Sequence, residues 1–122
     1  MANLRAAVIG CGYLGRFHAQ KWHALPGCTL VAVADPSAEA RERLAAELNV
    51  RGVADWRDLL GQVDAVSIVT PTPLHHRIAR ECLEAGIHVL VEKPITTTVE
   101  EATDLIEVAG RVGRILQVGH LE

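Results

Sequence analysis

Aromatic side chains are scarce: one Phe, one Tyr and two Trp make up 3 % of the 122 residues. Such a chain must fill its core with small and branched aliphatics, which suits thin helices laid on a parallel sheet. No apolar run approaches the ~20 residues of a membrane span. The first residues, Met1-Ala2-Asn3-Leu4-Arg5, lack the long apolar stretch of a secretory leader and lead directly into a strand-like run. A cytoplasmic protein with no membrane partner is expected. The formal net charge of −3 gives no electrostatic basis for binding nucleic acid or anionic lipid. Cysteine is sparse too. Cys11, Cys28 and Cys82 are widely spaced, without C-x-x-C, which argues against a zinc site and a disulfide framework. No metal is expected. Cys11 reads either as a redox-sensitive thiol at a helix N-terminus or as a small side chain at a tolerant position. No repeat and no Ser/Gly-rich linker interrupts the chain, whose length suits one domain.

What is present is most concentrated near the start. Ala6-Ala7-Val8-Ile9 runs into Gly10-Cys11-Gly12-Tyr13-Leu14-Gly15, a Gly-x-Gly-x-x-Gly sequence, and Asp35 follows Gly15 by twenty residues. This spacing is the dinucleotide fingerprint. Gly10 lets the chain turn off the strand, Gly12 lets backbone approach a pyrophosphate, and Gly15 lets the helix pack closely. The free N–H groups of that helix would face the phosphates. Leu14, Phe17, Lys21, Trp22 and Leu25 follow at helical spacing before Pro26-Gly27.

Strand and helix signals then alternate. Thr29-Leu30-Val31-Ala32-Val33-Ala34 is a strand, and a helix follows from about Ser37 to Leu48, with Glu39–Arg43 and Arg43–Glu47 as i,i+4 ion pairs. Residues 50–53 form a short third strand, and Asp55 caps a brief helix through Leu60. Ala65-Val66-Ser67-Ile68-Val69 is a buried strand. Thr72-Pro73 reads as an N-cap with proline at the first helical position. Leu74, Ile78, Ala79, Cys82 and Leu83 form that helix's inward stripe, and Gly86 ends it. His88-Val89-Leu90-Val91 is a fifth strand, Thr98-Val99-Glu100-Glu101 a capping box for a helix to about Val112, and Ile115-Leu116-Gln117-Val118 a sixth strand. The expected fold is α/β: a doubly wound, six-stranded parallel sheet of Rossmann type in the order 3-2-1-4-5-6.

Ligands of such sheets bind beyond the carboxyl ends of the strands, so the residues there carry the chemical reading. Asp35 would accept hydrogen bonds from the adenosine ribose, and its charge would repel a 2′-phosphate, favouring NAD over NADP. It could also cap the following helix. No arginine follows at 36 or 37. Lys93 of Glu92-Lys93-Pro94 reads in two ways. It is either a solvated lysine at a strand end or a group in the nicotinamide cleft that handles a substrate proton, with Glu92 orienting it. His75 and His76, being adjacent, do not share a helix face, so a joint metal site is not expected. One of them would face the cofactor. His18, His23, His76 and His88 read as packing or surface. His120, after Gly119, would lie near the cleft or at a chain end.

These residues together resemble the N-terminal half of the Gfo/Idh/MocA oxidoreductases. The resemblance rests on residues 8–15, Asp35-Pro36, Thr70-Pro71-Thr72-Pro73-Leu74-His75, the run Ala85 to Pro94, and Val118-Gly119-His120. It implies that Lys93 is an active-site residue. It also places Thr70, Pro71, Thr72, His75, Glu92, Pro94 and His120 beside Gly10, Gly12, Tyr13, Leu14, Gly15 and Asp35 at an NAD site. The implied activity is hydride transfer between NAD and a hydroxyl of a sugar, polyol or nucleotide sugar. The family's second domain, a larger antiparallel sheet, forms the substrate pocket and the usual oligomer interface and supplies an aspartate and a histidine. This sequence contains none of it. The expectation is a cofactor domain over residues 1–120 that binds NAD without turnover, cut from a homo-oligomeric parent. Leu121-Glu122 are then either native continuation or a cloning remnant. The alternative is a non-catalytic, NAD-sensing regulatory module. Methyl transfer from S-adenosylmethionine fits the glycine spacing and the Glu-Lys-Pro block less well.

Overall fold

Alternating small and β-branched residues make six short strands, and each apolar run ends where a turn residue or an acid interrupts it. The computed structural model describes residues 3–119. The strands are β1 (Leu4–Ile9), β2 (Cys28–Ala34), β3 (Arg51–Val53), β4 (Ala65–Ile68), β5 (His88–Glu92) and β6 (Leu116–Gly119). The helices are α1 (Tyr13–Ala24), α2 (Ala38–Leu48), α3 (His75–Glu84) and α4 (Val99–Val112). All strand pairs are parallel, in the order β3-β2-β1-β4-β5-β6, the order expected for a doubly wound sheet. Among the described residues, no helix is long and apolar enough to cross a membrane.

The sheet separates two cores. On one face Ile9, Ile68 and Val91 pack against Ile78, Cys82 and Leu83 of α3 and Leu105 and Val108 of α4. On the other, Val8, Leu30 and Val33 meet Ala19 of α1 and Leu44 of α2. Leu83 and Leu105 are fully buried, and truncating either to alanine should cost about 2–5 kcal/mol. The Trp22 indole N–H donates to Ser67 Oγ at 2.8 Å, fastening α1 to β4.

The caps follow local chemistry, with two corrections. Ser37 Oγ accepts from the Ala40 N–H, and Thr98 Oγ1 accepts from the Glu101 N–H, opening α2 and α4. Asp55 accepts from the Arg57 N–H, but it starts a 3₁₀ turn, Trp56–Leu59. Thr72 does not cap α3. Pro73 has no N–H, so the chain closes a 3₁₀ turn through the Leu74 N–H and Pro71 carbonyl (3.0 Å), with Pro71 at the cap position, and α3 begins at His75. Leu74 therefore leaves the inward stripe and is 46 % exposed, while His75 takes the buried place. The expected Arg43–Glu47 pair gives way to a longer-range one. Arg43 binds Glu39 at 2.6 Å, and Glu47 instead meets Arg16 and Gln20 of α1, both at 2.9 Å.

Candidate cofactor cleft

The glycine turn assigns a different duty to each glycine. Gly10 has φ +110°, a region costly for side-chain-bearing residues, and a Cβ there would lie 2.6 Å from the Val69 carbonyl oxygen. A Cβ on Gly15 would collide with the Gly10 carbonyl oxygen. The fold itself demands both glycines. Gly12 differs: its φ is −75°, and a Cβ would meet nothing within 4 Å. Neither strain nor packing accounts for it, so the space before it is left for something outside the chain.

That space is a cleft of about 790 Å³ beyond the carboxyl ends of β1, β2 and β4. Gly10, Gly12 and Asp35 line one side, and Thr70 and Pro71 the other. Asp35 is held rigidly: Oδ2 accepts from the Cys11 N–H and Oδ1 from the Ser37 N–H, both at 2.8 Å. Ser37 caps α2, so the acid is not the cap, and Asp35 lines the cleft. Thr70 Oγ1 is buried with no hydrogen-bond partner. A buried unpaired hydroxyl costs about 1–3 kcal/mol, and a polar ligand in the cleft would supply its partner. An open glycine at a helix N-terminus, an anchored acid and an orphan hydroxyl fit a dinucleotide.

The other expected residues distribute unevenly. Tyr13 and Leu14 are exposed on the first turn of α1, Tyr13 stacking edge-on against Phe17 at 4.9 Å. Thr72 lies in the 3₁₀ turn, outside the lining of the cleft. His75 is a correction. It is 2 % exposed and forms no part of the cleft wall. Its Nε2 lies 2.8 Å from the Thr70 carbonyl, and Nδ1 lies 3.1 and 3.2 Å from the carbonyls of Pro94 and Ile95. Glu92 is another correction. It does not pair with Lys93 but is buried, with Oε2 2.8 Å from His18 Nε2. Lys93 and Pro94 are exposed at the end of β5, with the Lys93 N–H donating to the Gly119 carbonyl. His120 lies outside the described residues. Cys11 is buried, and desolvation, aided by nearby Asp35, pushes its thiol up to about 12, so it is no reactive thiolate.

Sequence reasoning missed four residues. Arg41 of α2 reaches back to the Asp35 carbonyl at 2.9 Å, six residues on rather than one or two. Trp56 and Arg57 line the cleft's apolar end, the guanidinium 4.6 Å from the indole centroid. Their position just past β3 was the available signal. His18 shares a helix face with Gly15 and Ala19, a spacing that already pointed it at the sheet.

Comparison with known proteins agrees with this geometry. The chain is 46 % identical, over all 122 residues, to UDP-N-acetylglucosamine 3-dehydrogenase of Acidithiobacillus ferrooxidans. The solved structure of that enzyme superposes with a TM-score of 0.91 over 98 % of this chain and 39 % of that one. It is 38 % identical over 126 aligned residues to scyllo-inositol 2-dehydrogenase (NAD(+)) of Bacillus subtilis, covering 98 % of this chain and 36 % of that one. The scyllo-inositol dehydrogenase of Lactobacillus casei, solved with NAD(H) and scyllo-inositol, matches with a TM-score of 0.88 at 28 % identity, over 96 % of this chain and 36 % of that one. The chain thus spans little more than a third of the length of the curated relatives it matches. The profile described as "Oxidoreductase family, NAD-binding Rossmann fold" matches residues 4–120, and the chain belongs to that family, Gfo/Idh/MocA.

Proposed function

We propose that this chain is the cofactor-holding part of an NAD-dependent dehydrogenase that acts on a hydroxyl of a sugar, polyol or nucleotide sugar. The observation that carries the reading is the cleft where open Gly12, anchored Asp35 and partnerless Thr70 Oγ1 converge. The N–H groups at the start of α1 would bind the pyrophosphate, Asp35 would take the ribose hydroxyls, and Trp56 and Leu74 would pack the adenine. Bound nicotinamide supplies a hydride acceptor. Lys93, exposed at the end of β5 beside the strand that leads to Thr70, would hydrogen-bond the substrate hydroxyl and help move its proton. The names of the relatives support a hydroxyl-bearing sugar or polyol, with a nucleotide sugar first because of the 46 % match. The substrate pocket, a second domain and a homo-oligomeric, cytoplasmic parent belong to the same proposal, as does binding without turnover by residues 1–122 alone.

Calorimetric titration of the 122-residue chain with NAD, NADP and S-adenosylmethionine tests the cofactor. NAD should bind most tightly, and a preference for either alternative sinks the reading. The parent protein is then assayed by NADH absorbance with UDP-N-acetylglucosamine and the inositols. Cofactor binding without turnover of any sugar or polyol, together with cofactor-dependent capture of a partner protein, would favour a regulatory module instead.

A further inference from the structure

Three contacts converge on the turn that carries Lys93, each from a different element. From the α1 side of the sheet, His18 Nε2 lies 2.8 Å from Glu92 Oε2, with His18 only 5 % and Glu92 only 7 % exposed. From the α3 side, the His75 ring reaches the Pro94 and Ile95 carbonyls through Nδ1. From β6, the Gly119 carbonyl accepts the Lys93 N–H at 3.1 Å. The residues on both sides of Lys93 are thus fixed while Lys93 itself stays exposed. The other nitrogen of His75 lies 2.8 Å from the Thr70 carbonyl. One imidazole therefore sits between the Lys93 turn and the wall of the cofactor cleft.

A buried carboxylate and two buried imidazoles are costly unless each is paired, and here each is. Ordinary packing would place hydrophobic residues at these sites, as the surrounding core does. Resting on the reading above, we propose that His18, through Glu92, and His75 are positioning residues that hold Lys93 in register with the bound dinucleotide. Neither histidine is among the residues that line the cofactor cleft. His18 sets the end of β5 on one face, and His75 sets the following turn on the other.

The sequence contains only two lysines, Lys21 and Lys93, so a ¹³C-lysine-labelled chain gives two resolvable ε-methylene signals. Titration with NAD should shift the Lys93 signal in the wild type. In His18→Leu, NAD should bind within threefold of the wild-type affinity, while the Lys93 shift falls at least twofold and its signal broadens. His18→Gln, whose amide can still donate to Glu92, should restore the wild-type response. His75→Leu should behave as His18→Leu does. If His18→Leu does not fold, Glu92→Met, which offers His18 no strong hydrogen-bond partner, takes its place, with the same expected loss. Failure of NAD to bind the wild type would overturn the functional reading. Normal binding with a silent Lys93 in the wild type, or an unchanged Lys93 shift in the variants, would overturn the positioning role alone.

Discussion

The Cys11 backbone N–H donates to Asp35 Oδ2 at 2.8 Å, joining the glycine turn after β1 to the acid at the end of β2. The two halves of the fingerprint are therefore one mechanical unit. The Ser37 N–H completes the clamp on the other carboxylate oxygen. A carboxylate held by two amides is pre-oriented, and its order is not lost again on ligand binding.

Replacing Asp35 by serine should remove both clamp and charge. Hydrogen bonds to a charged group contribute about 1.5–3 kcal/mol, so NAD affinity should fall at least tenfold. Discrimination against NADP should also disappear, because Arg41, already bonded to the Asp35 carbonyl, is left as the neighbouring charge. Parallel calorimetric titrations with the two cofactors measure both effects, and retained NAD preference would contradict the assignment.

The glycines should separate fold from ligand. Gly12→Ala introduces a Cβ into open space at an ordinary φ. Its unfolding free energy should stay within about 0.5 kcal/mol of wild type, while NAD affinity drops at least tenfold. Gly15→Ala drives a Cβ into the Gly10 carbonyl, and this overpacking should cost about 1–3 kcal/mol or more. Urea denaturation and cofactor titration of both variants provide the comparison.

Stability should fall in acid through two surface carboxylates. Asp64 is held below its ordinary value of 3.8 by hydrogen bonds from the Arg5 side chain and backbone, and Asp104 by hydrogen bonds from Arg80 and then His76. Because folding depresses both values, their contribution is fully present above pH 3.8 and is lost as the pH falls below it. Thermal midpoints should decline below about pH 4. Asp64→Asn should flatten that decline while lowering the midpoint at neutral pH, as scanning calorimetry across the acid range can determine.

Thiol chemistry should distinguish the cysteines. Burial pushes the thiols of Cys11 and Cys82 up to about 12, and both side chains are enclosed, whereas Cys28 at the start of β2 is half-buried. A disulfide reagent at pH 8 should modify Cys28 first and leave the other two unreacted until the chain unfolds. Peptide mapping of the native adduct identifies the site, and early labelling of Cys11 would restore the redox reading.

Local chemistry determined the glycine turn, the acid after β2, the cap at Thr98 and the six-strand order. Each follows from spacing within one element or from the single handedness available to a crossover. Only the tertiary structure decided which polar side chains meet. His18 and Glu92 are 74 residues apart, and His75 and Pro94 are 19 apart. Such pairings depend on strand register and helix rotation, which no local period encodes. For the same reason Glu47 left its own helix for Arg16, and Glu92, adjacent to Lys93 in sequence, turned to His18 of α1.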